Sequence, residues 1–318
     1  MTPHQMESNI VRYGNLRPCK AAFIDAHTPG SDKKENFAII GGGVAESTDQ
    51  HVHIKATPGF NIGAAGQPPK CLNSLHAHRT AEVFFVLKGR WRFFWGCWGD
   101  AGEVVLEEGD IFNIPTGVFR GFENVGTDYG MMMSILGGND AGGGVIWAPQ
   151  VIKAARDYGL ILGENGSLYE QPLPDGVSPM PMLTEEELQA FPEPNTRQIV
   201  PNYVARYWDL MAMADGQPVK VIGEHAVLRD KPGFEVELLR RGSIPDAAYS
   251  LPTHQVLMPM RGHWKLTWKD GETVLNPGDV CILPPEFIHS LCPAVSGESS
   301  LYRVVPTNDP AGPTWQPE

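Results

Sequence analysis

Residues 83–95 read VFFVLKGRWRFFW, and residues 256–268 read VLMPMRGHWKLTW. Val, a basic residue, Gly, Trp, a second basic residue and a closing Trp coincide at an offset of 173, from Val83 to Val256. Two further blocks follow the same order. LEEGDIFNIPTGVFR (106–120) matches LNPGDVCILPPEFIH (275–289) at an offset of 169, and HVHIKATPGF (51–60) matches HAVLRDKPGF (225–234) at an offset of 174. Three ordered blocks at nearly constant spacing mark an internal duplication, and a repeat dictates the architecture before any single element does.

Each copy has the period of a β-strand. Trp91, Phe93 and Trp95 alternate with Arg90 and Arg92, and Trp264, Leu266 and Trp268 alternate with His263 and Lys265. Gly89 and Gly262 stand at the turns before these strands, and Gly109-Asp110 and Gly278-Asp279 open the next ones. The chain of 318 residues contains 35 Gly and 28 Pro, spread along its length, which suits many short strands joined by turns. The expectation is an all-β protein of two tandem jelly-roll barrels.

Between the copies the pattern changes. Residues 148–162 (APQVIKAARDYGLIL) have helical spacing, with Val151, Ala154 and Ala155 on one stripe and Gly163 as a stop. A Pro-rich stretch, 171–182, reads as linker, and Thr184 with Glu187 reads as a capping box for a short helix over 185–191. The sequence therefore divides into an N-terminal arm (1–45), a first barrel (46–164), a short helical linker (165–200) and a second barrel (201–318), with a Pro-rich tail after Thr307.

A net charge of -12 argues against nucleic-acid binding, which needs an excess of Lys and Arg, and favours solubility. The five cysteines, Cys19, Cys71, Cys97, Cys281 and Cys292, are odd in number and form no CxxC pair, as expected of reduced thiols in a cytoplasm. The first residues show no secretory signal, and no run of about 18 apolar residues exists to span a membrane.

The chemistry concentrates in HAHRTAEVFFVLKG (76–89). His76 and His78 are two apart on a strand, so both side chains point one way, and Glu82 follows a corner at the head of the next strand. Two imidazoles and a carboxylate in one cavity suit a divalent first-row metal and leave coordination positions open. A polar barrel mouth without metal is the plainer alternative. His51 and His53 share the two-residue spacing, but His225 repeats His51, which indicates a structural role. The aromatic run 91–98 and Met131–Met133 read as core. No nucleophile elbow or phosphate loop is present, and 39–44 (IIGGGV) reads as a turn.

The spacing of His76, His78, Glu82 and Gly89 resembles the first cupin motif, and Gly109, Asp110, Pro115 and Gly117 resemble the second. The last position of the second motif, usually a fourth ligand histidine, is Arg120 here. The resemblance covers about 45–137 and 220–305 and implies a bicupin similar to quercetinase-like, oxalate-decarboxylase-like and gentisate-dioxygenase-like proteins. It implies an Fe(II) dioxygenase-type enzyme acting on a small aromatic or oxo acid, with metal on His76, His78 and Glu82. Zn, Ni or Mn, and with a redox-inert metal an isomerase or lyase, are the other options it leaves. A metal-free, non-catalytic ligand-binding bicupin is the competing class. Arg120 either pairs with Glu82 in place of metal or anchors a substrate carboxylate through its planar fork. In the second copy the offsets place Tyr249, Leu251 and Gln255 opposite His76, His78 and Glu82. His289 alone keeps a ligand position, and His254, beside Gln255, is a possible second ligand, so His254, Gln255 and His289 mark a degenerate pocket. A homodimer, a small-molecule substrate and no nucleic-acid or membrane partner complete the expectations.

Overall fold

The computed structural model describes residues 1–138, 144–229, 233–244 and 247–307, so the expected Pro-rich tail lies outside the described residues. The first barrel is built from two facing sheets. One runs Val204–Ala205, Ile111–Ile114, Glu82–Lys88, Gly130–Gly137, Phe60–Gln67, Glu35–Ile40, Val52–Ile54. The other runs Val145–Trp147, Leu72–His78, Arg120–Asn124, Trp91–Trp95, Gly102–Leu106. The second barrel repeats this in shorter form. Its larger sheet is Ile10–Val11, Val280–Leu283, Gln255–Arg261, Ser300–Pro306, Phe234–Arg240, Val219–Ile222, and its smaller one Gly271–Leu275, Trp264–Trp268, Ser290–Pro293. The all-β, two-barrel expectation is met.

The run VFFVL is apolar at every position because its strand is buried on both faces. Phe84 and Val86 point into the first barrel beside Trp91, Phe93, Trp95, Phe112 and Phe122. Val83, Phe85 and Leu87 point outward, into a core shared with Val236, Leu238, Val256, Met258 and Tyr302 of the second barrel. The two large sheets thus stack through one continuous hydrophobic layer. Leu239, Leu257, Trp264, Leu266 and Leu301 fill the second barrel's own interior.

The duplication reaches further than the three blocks. Strand Ile10–Val11, ahead of the first copy, pairs with Val280–Leu283 of the second barrel. Strand Val204–Ala205, ahead of the second copy, pairs with Ile111–Ile114 of the first. Each barrel therefore carries the other's leading strand. The same lock follows each strand. Arg12 Nη1 donates to Asp279 Oδ2 (3.0 Å) and Val274 O (2.6 Å), and Tyr13 N to Asp279 Oδ1 (2.9 Å). Arg206 Nη1 donates to Asp110 Oδ2 (2.6 Å) and Val105 O (2.8 Å), and Tyr207 N to Asp110 Oδ1 (2.8 Å). Gly109 (φ +89) lies so close beneath Tyr207 that a Cβ there would sit 2.4 Å from the ring, and Gly278 lies likewise beneath Tyr13.

This exchange changes the expected division. The arm 1–45 contributes a strand to each barrel, Ile10–Val11 to the second and Glu35–Ile40 to the first, and the stretch from 201 begins with a strand of the first barrel. The expected helix over 148–162 is shorter, Pro149–Asp157. Gly159, with φ +88, ends it, and Leu160–Leu162 becomes a strand in a hairpin with Leu168–Glu170, so Gly163 is not its stop. The capping box of Thr184 and Glu187 is present on helix Glu185–Gln189, and a further helix, Thr196–Tyr203, is capped by Asn195.

Candidate metal centre

Strand Leu72–His78 lines the mouth of the first barrel. Its alternation sends Leu75 and Ala77 outward against helix Pro149–Asp157, with Val151, Ile152 and Ala155, and turns His76 and His78 inward. His76 pairs in register with Arg120 on one side and Trp147 on the other, and His78 with Val145. Glu82 opens the next strand, between Ile114 and Leu136. The three side chains are buried, and their candidate ligand atoms lie within 4.8 Å of one another. They are the one such cluster among the described residues.

Both imidazoles are prepared as ligands. His76 Nδ1 lies 2.7 Å from Ser74 O and His78 Nδ1 lies 3.2 Å from Gly144 O. A carbonyl only accepts, so each Nδ1 carries the proton and each Nε2 keeps a lone pair. Burial, and then the charge of Arg120, push both imidazoles well below their ordinary pKa, so they are neutral. The 3.6 Å approach of His78 Nε2 to Glu82 Oε2 is therefore no ion pair but two lone-pair atoms facing one another. A cation between them resolves that juxtaposition. Ligand atoms about 2 Å from a metal stand roughly 3–4 Å apart, so the observed spacing needs only a small closure. The residues present fit a divalent metal.

Arg120 is buried, and its Nη2 makes a close contact with Glu82 Oε2, while Nη1 donates to His76 O (3.4 Å). Burial raises the Glu82 carboxyl and Arg120 lowers it, the net direction being upward. The Arg120 Nε has no partner. Arg120 does not line the cavity. That space, about 70 Å³, is walled by Phe23, Phe37, Ile62, Phe84, Met132 and Trp147, and no Lys or Arg is among the described residues that line it. Trp147 packs on His76 with ring centroids 5.5 Å apart and donates to Glu46 Oε1. Glu46 also accepts from Ile24 N, and burial raises its carboxyl to about 7.

The second barrel shows the same register without the ligands. Tyr249 pairs with His289 as His76 pairs with Arg120, and Gln255 pairs with Leu283 as Glu82 pairs with Ile114. An ion pair that no motif announces fills the space. Arg303 Nε and Nη2 donate to Glu237 Oε2 (2.9 and 2.6 Å), and Nη1 to the Tyr249 hydroxyl (3.3 Å). The strand registers set Arg303 opposite Glu237 where the first barrel sets Ser134 opposite Gly63. Small residues leave room for a cavity in one barrel, and an ion pair occupies the other. His289 Nε2 and both amide atoms of Gln255 have no hydrogen-bond partner, and His254 joins no metal-type cluster among the described residues.

Other sequence candidates lie away from the centre. His51 and His53 pack edge to face at 4.6 Å, with Arg17 N donating to His53 Nε2. Trp91, Phe93 and Trp95 are barrel core. Met132 lines the cavity, whereas Met131 and Met133 join the layer between barrels. The five cysteines are all free.

Comparison with known proteins agrees with this architecture. Residues 66–136 match the cupin domain family. The whole chain is similar in structure to a salicylate 1,2-dioxygenase from Pseudaminobacter salicylatoxidans (TM-score 0.55, 14% identity, covering 93% of this chain and 83% of that one). It is similar also to an oxalate decarboxylase from Lactobacillus farciminis, solved as a formate complex (0.54, 12%, 96% and 88%). A variant of the Bacillus subtilis oxalate decarboxylase gives 0.51, 12%, 96% and 78%. The chain has the bicupin fold. At these identities the likeness speaks of fold alone. Among curated proteins none matches the sequence. No helix among the described residues of this bicupin is long and apolar enough to cross a membrane.

Proposed function

We propose that this bicupin is a metal-dependent enzyme of the Fe(II) dioxygenase type, acting on a small aromatic or oxo acid in the first barrel. The observation that carries the reading is the pair of neutral imidazoles, each fixed through Nδ1, whose candidate ligand atoms lie with that of Glu82 within 4.8 Å of one another. Iron held there would supply oxygen activation at open coordination positions; Zn, Ni or Mn would direct the same residues to redox-neutral chemistry.

The protein's own contribution is positioning and exclusion. The carbonyls of Ser74 and Gly144 hold the rings in one tautomer. Arg120 partners Glu82 and keeps its carboxyl from rising as far as burial alone would drive it. Because Arg120 does not line the cavity, we assign it to Glu82 and not to a substrate carboxylate. The aromatic wall of Phe23, Phe37, Phe84 and Trp147 keeps water sparse, and a volume of about 70 Å³ favours the compact members of the substrate class. The free cysteines support residence in a reducing compartment.

The test is metal analysis of the purified protein followed by oxygen uptake with a panel of hydroxylated aromatic acids and oxo acids. The reading expects one metal per chain and uptake that disappears in His76→Ala. One observation favours a second reading, a metal-free ligand-binding bicupin: Glu82 already has a cation, Arg120, in direct contact. Absence of bound metal together with ligand binding unchanged in His76→Ala would select it.

A further inference from the structure

The residues that line the first-barrel cavity contain two polar atoms that the protein itself leaves unsatisfied. Asn36 lies on strand Glu35–Ile40, 7% exposed, its backbone fixed by reciprocal hydrogen bonds with Cys19. Its Nδ2 has no acceptor. Gln50 lies on the segment before strand Val52–Ile54, and its Oε1 is buried without a donor. Both residues line the cavity. The other amide there is engaged, since Asn73 Oδ1 accepts from Lys34 Nζ at 3.0 Å. The two nearby buried cations are also taken, Lys34 by Asp25 and Arg120 by Glu82, and neither lines the cavity.

Buried donors and acceptors find partners, so an unpaired donor and an unpaired acceptor in one small apolar cavity point to what the cavity is built to hold. We infer that Asn36 and Gln50 are substrate-binding residues that select an acid whose remaining polar group is an uncharged hydroxyl or amide, and that they reject a second carboxylate. The inference rests on the reading of this cavity as a substrate site and specifies its substrate class. A hydroxyl satisfies both atoms at once, accepting from Asn36 Nδ2 and donating to Gln50 Oε1. A carboxylate accepts from Asn36 but turns a second lone pair toward Gln50 Oε1, in a cavity with no Lys or Arg among its described lining residues.

The test compares 3-hydroxypropionate with malonate, which differ in a hydroxymethyl against a second carboxylate. Binding is followed by titration calorimetry on the full chain, with metal content measured in the same sample. The hydroxy acid is expected to bind about tenfold or more tightly than malonate, as for sites whose buried polar groups are left unpaired by the wrong ligand. Asn36→Leu is expected to weaken both ligands and keep their order, whereas Gln50→Leu is expected to weaken 3-hydroxypropionate and to bring the two ligands within about threefold. Gln50→Lys is expected to reverse the order by supplying the missing cation. Equal or tighter binding of malonate by the unaltered protein overturns the inference. So does a preference that persists in Gln50→Leu, or an absence of binding by either acid at millimolar concentration. Failure to take up metal overturns the enzymatic reading; loss of discrimination in a metal-loaded sample overturns this inference alone.

Discussion

Replacing Arg120 by Met removes the only cation in contact with Glu82 among the described residues while roughly preserving volume. Both side chains are buried, Arg120 at 1% and Glu82 at 6% exposure, so solvent cannot take over the lost partner. Breaking a buried pair from one side costs about 3–5 kcal/mol, because the remaining charge is stranded. The cost depends on pH. Burial already raises the Glu82 carboxyl, and the two influences that lower it both come from Arg120. In the variant the folded carboxyl titrates still higher, while the unfolded one does not change. A group whose folded pKa is raised contributes stability at low pH and loses it as pH climbs through the folded value. The deficit of Arg120→Met is therefore smallest in acid and grows as pH rises above the ordinary carboxylate range. The double variant Arg120→Met/Glu82→Gln has no stranded charge and should recover all but about 1–2 kcal/mol. Urea unfolding of the metal-free proteins, read by tryptophan fluorescence at pH 5 and pH 8, measures all of these. A deficit below about 1 kcal/mol at pH 8, or a double variant no more stable than Arg120→Met, would show that Arg120 does not hold the Glu82 charge.

Four other substitutions examine the frame around the site. Gly109→Ala places a Cβ 2.4 Å from the Tyr207 ring at φ +89, whereas Gly159→Ala meets nothing within 4 Å at φ +88. Thermal unfolding should show a loss of about 1 kcal/mol for Gly159→Ala and about 3 kcal/mol or more for Gly109→Ala. Burial raises Glu46 from 4.5 to about 7, so its ionisation should remove about 3 kcal/mol of stability as pH rises through that interval. Glu46→Gln should abolish that part of the pH slope, which denaturant midpoints across pH 4–8 would check. Arg303→Met should destabilise the chain by about 1–3 kcal/mol by leaving Glu237 unpaired, with metal content of the purified protein unchanged.

The sequence displayed the architecture because duplication and period-two alternation are local and repeated: Trp91, Phe93 and Trp95 face the core as their spacing requires. His76, His78 and Glu82 were legible for the same reason, since two residues on one strand and one at the next corner must converge. The exchanged strands were not. Their traces, VRY at 11–13 and ARY at 205–207, are three residues long and stand 194 apart, outside the offsets of the other blocks. The strand Leu160–Leu162 was hidden because a short apolar run after a helical stripe fits either period. The Arg303–Glu237 pair was missed because Ser134 and Gly63, which stand in its place, share no chemistry with it. The alternatives for Arg120 turned on where one long side chain points, which spacing alone does not encode.

On the proposed function, two neutral histidines and one carboxylate of the first barrel trap a single divalent metal, while the second barrel traps none. The most direct test is metal stoichiometry by elemental analysis, with X-ray absorption at the edge of whichever metal is found. One metal per chain is expected, with nitrogen and oxygen ligands, lost in His76→Ala and in Glu82→Gln and retained in His289→Ala. Metal retained in His76→Ala, or lost in His289→Ala, would contradict it.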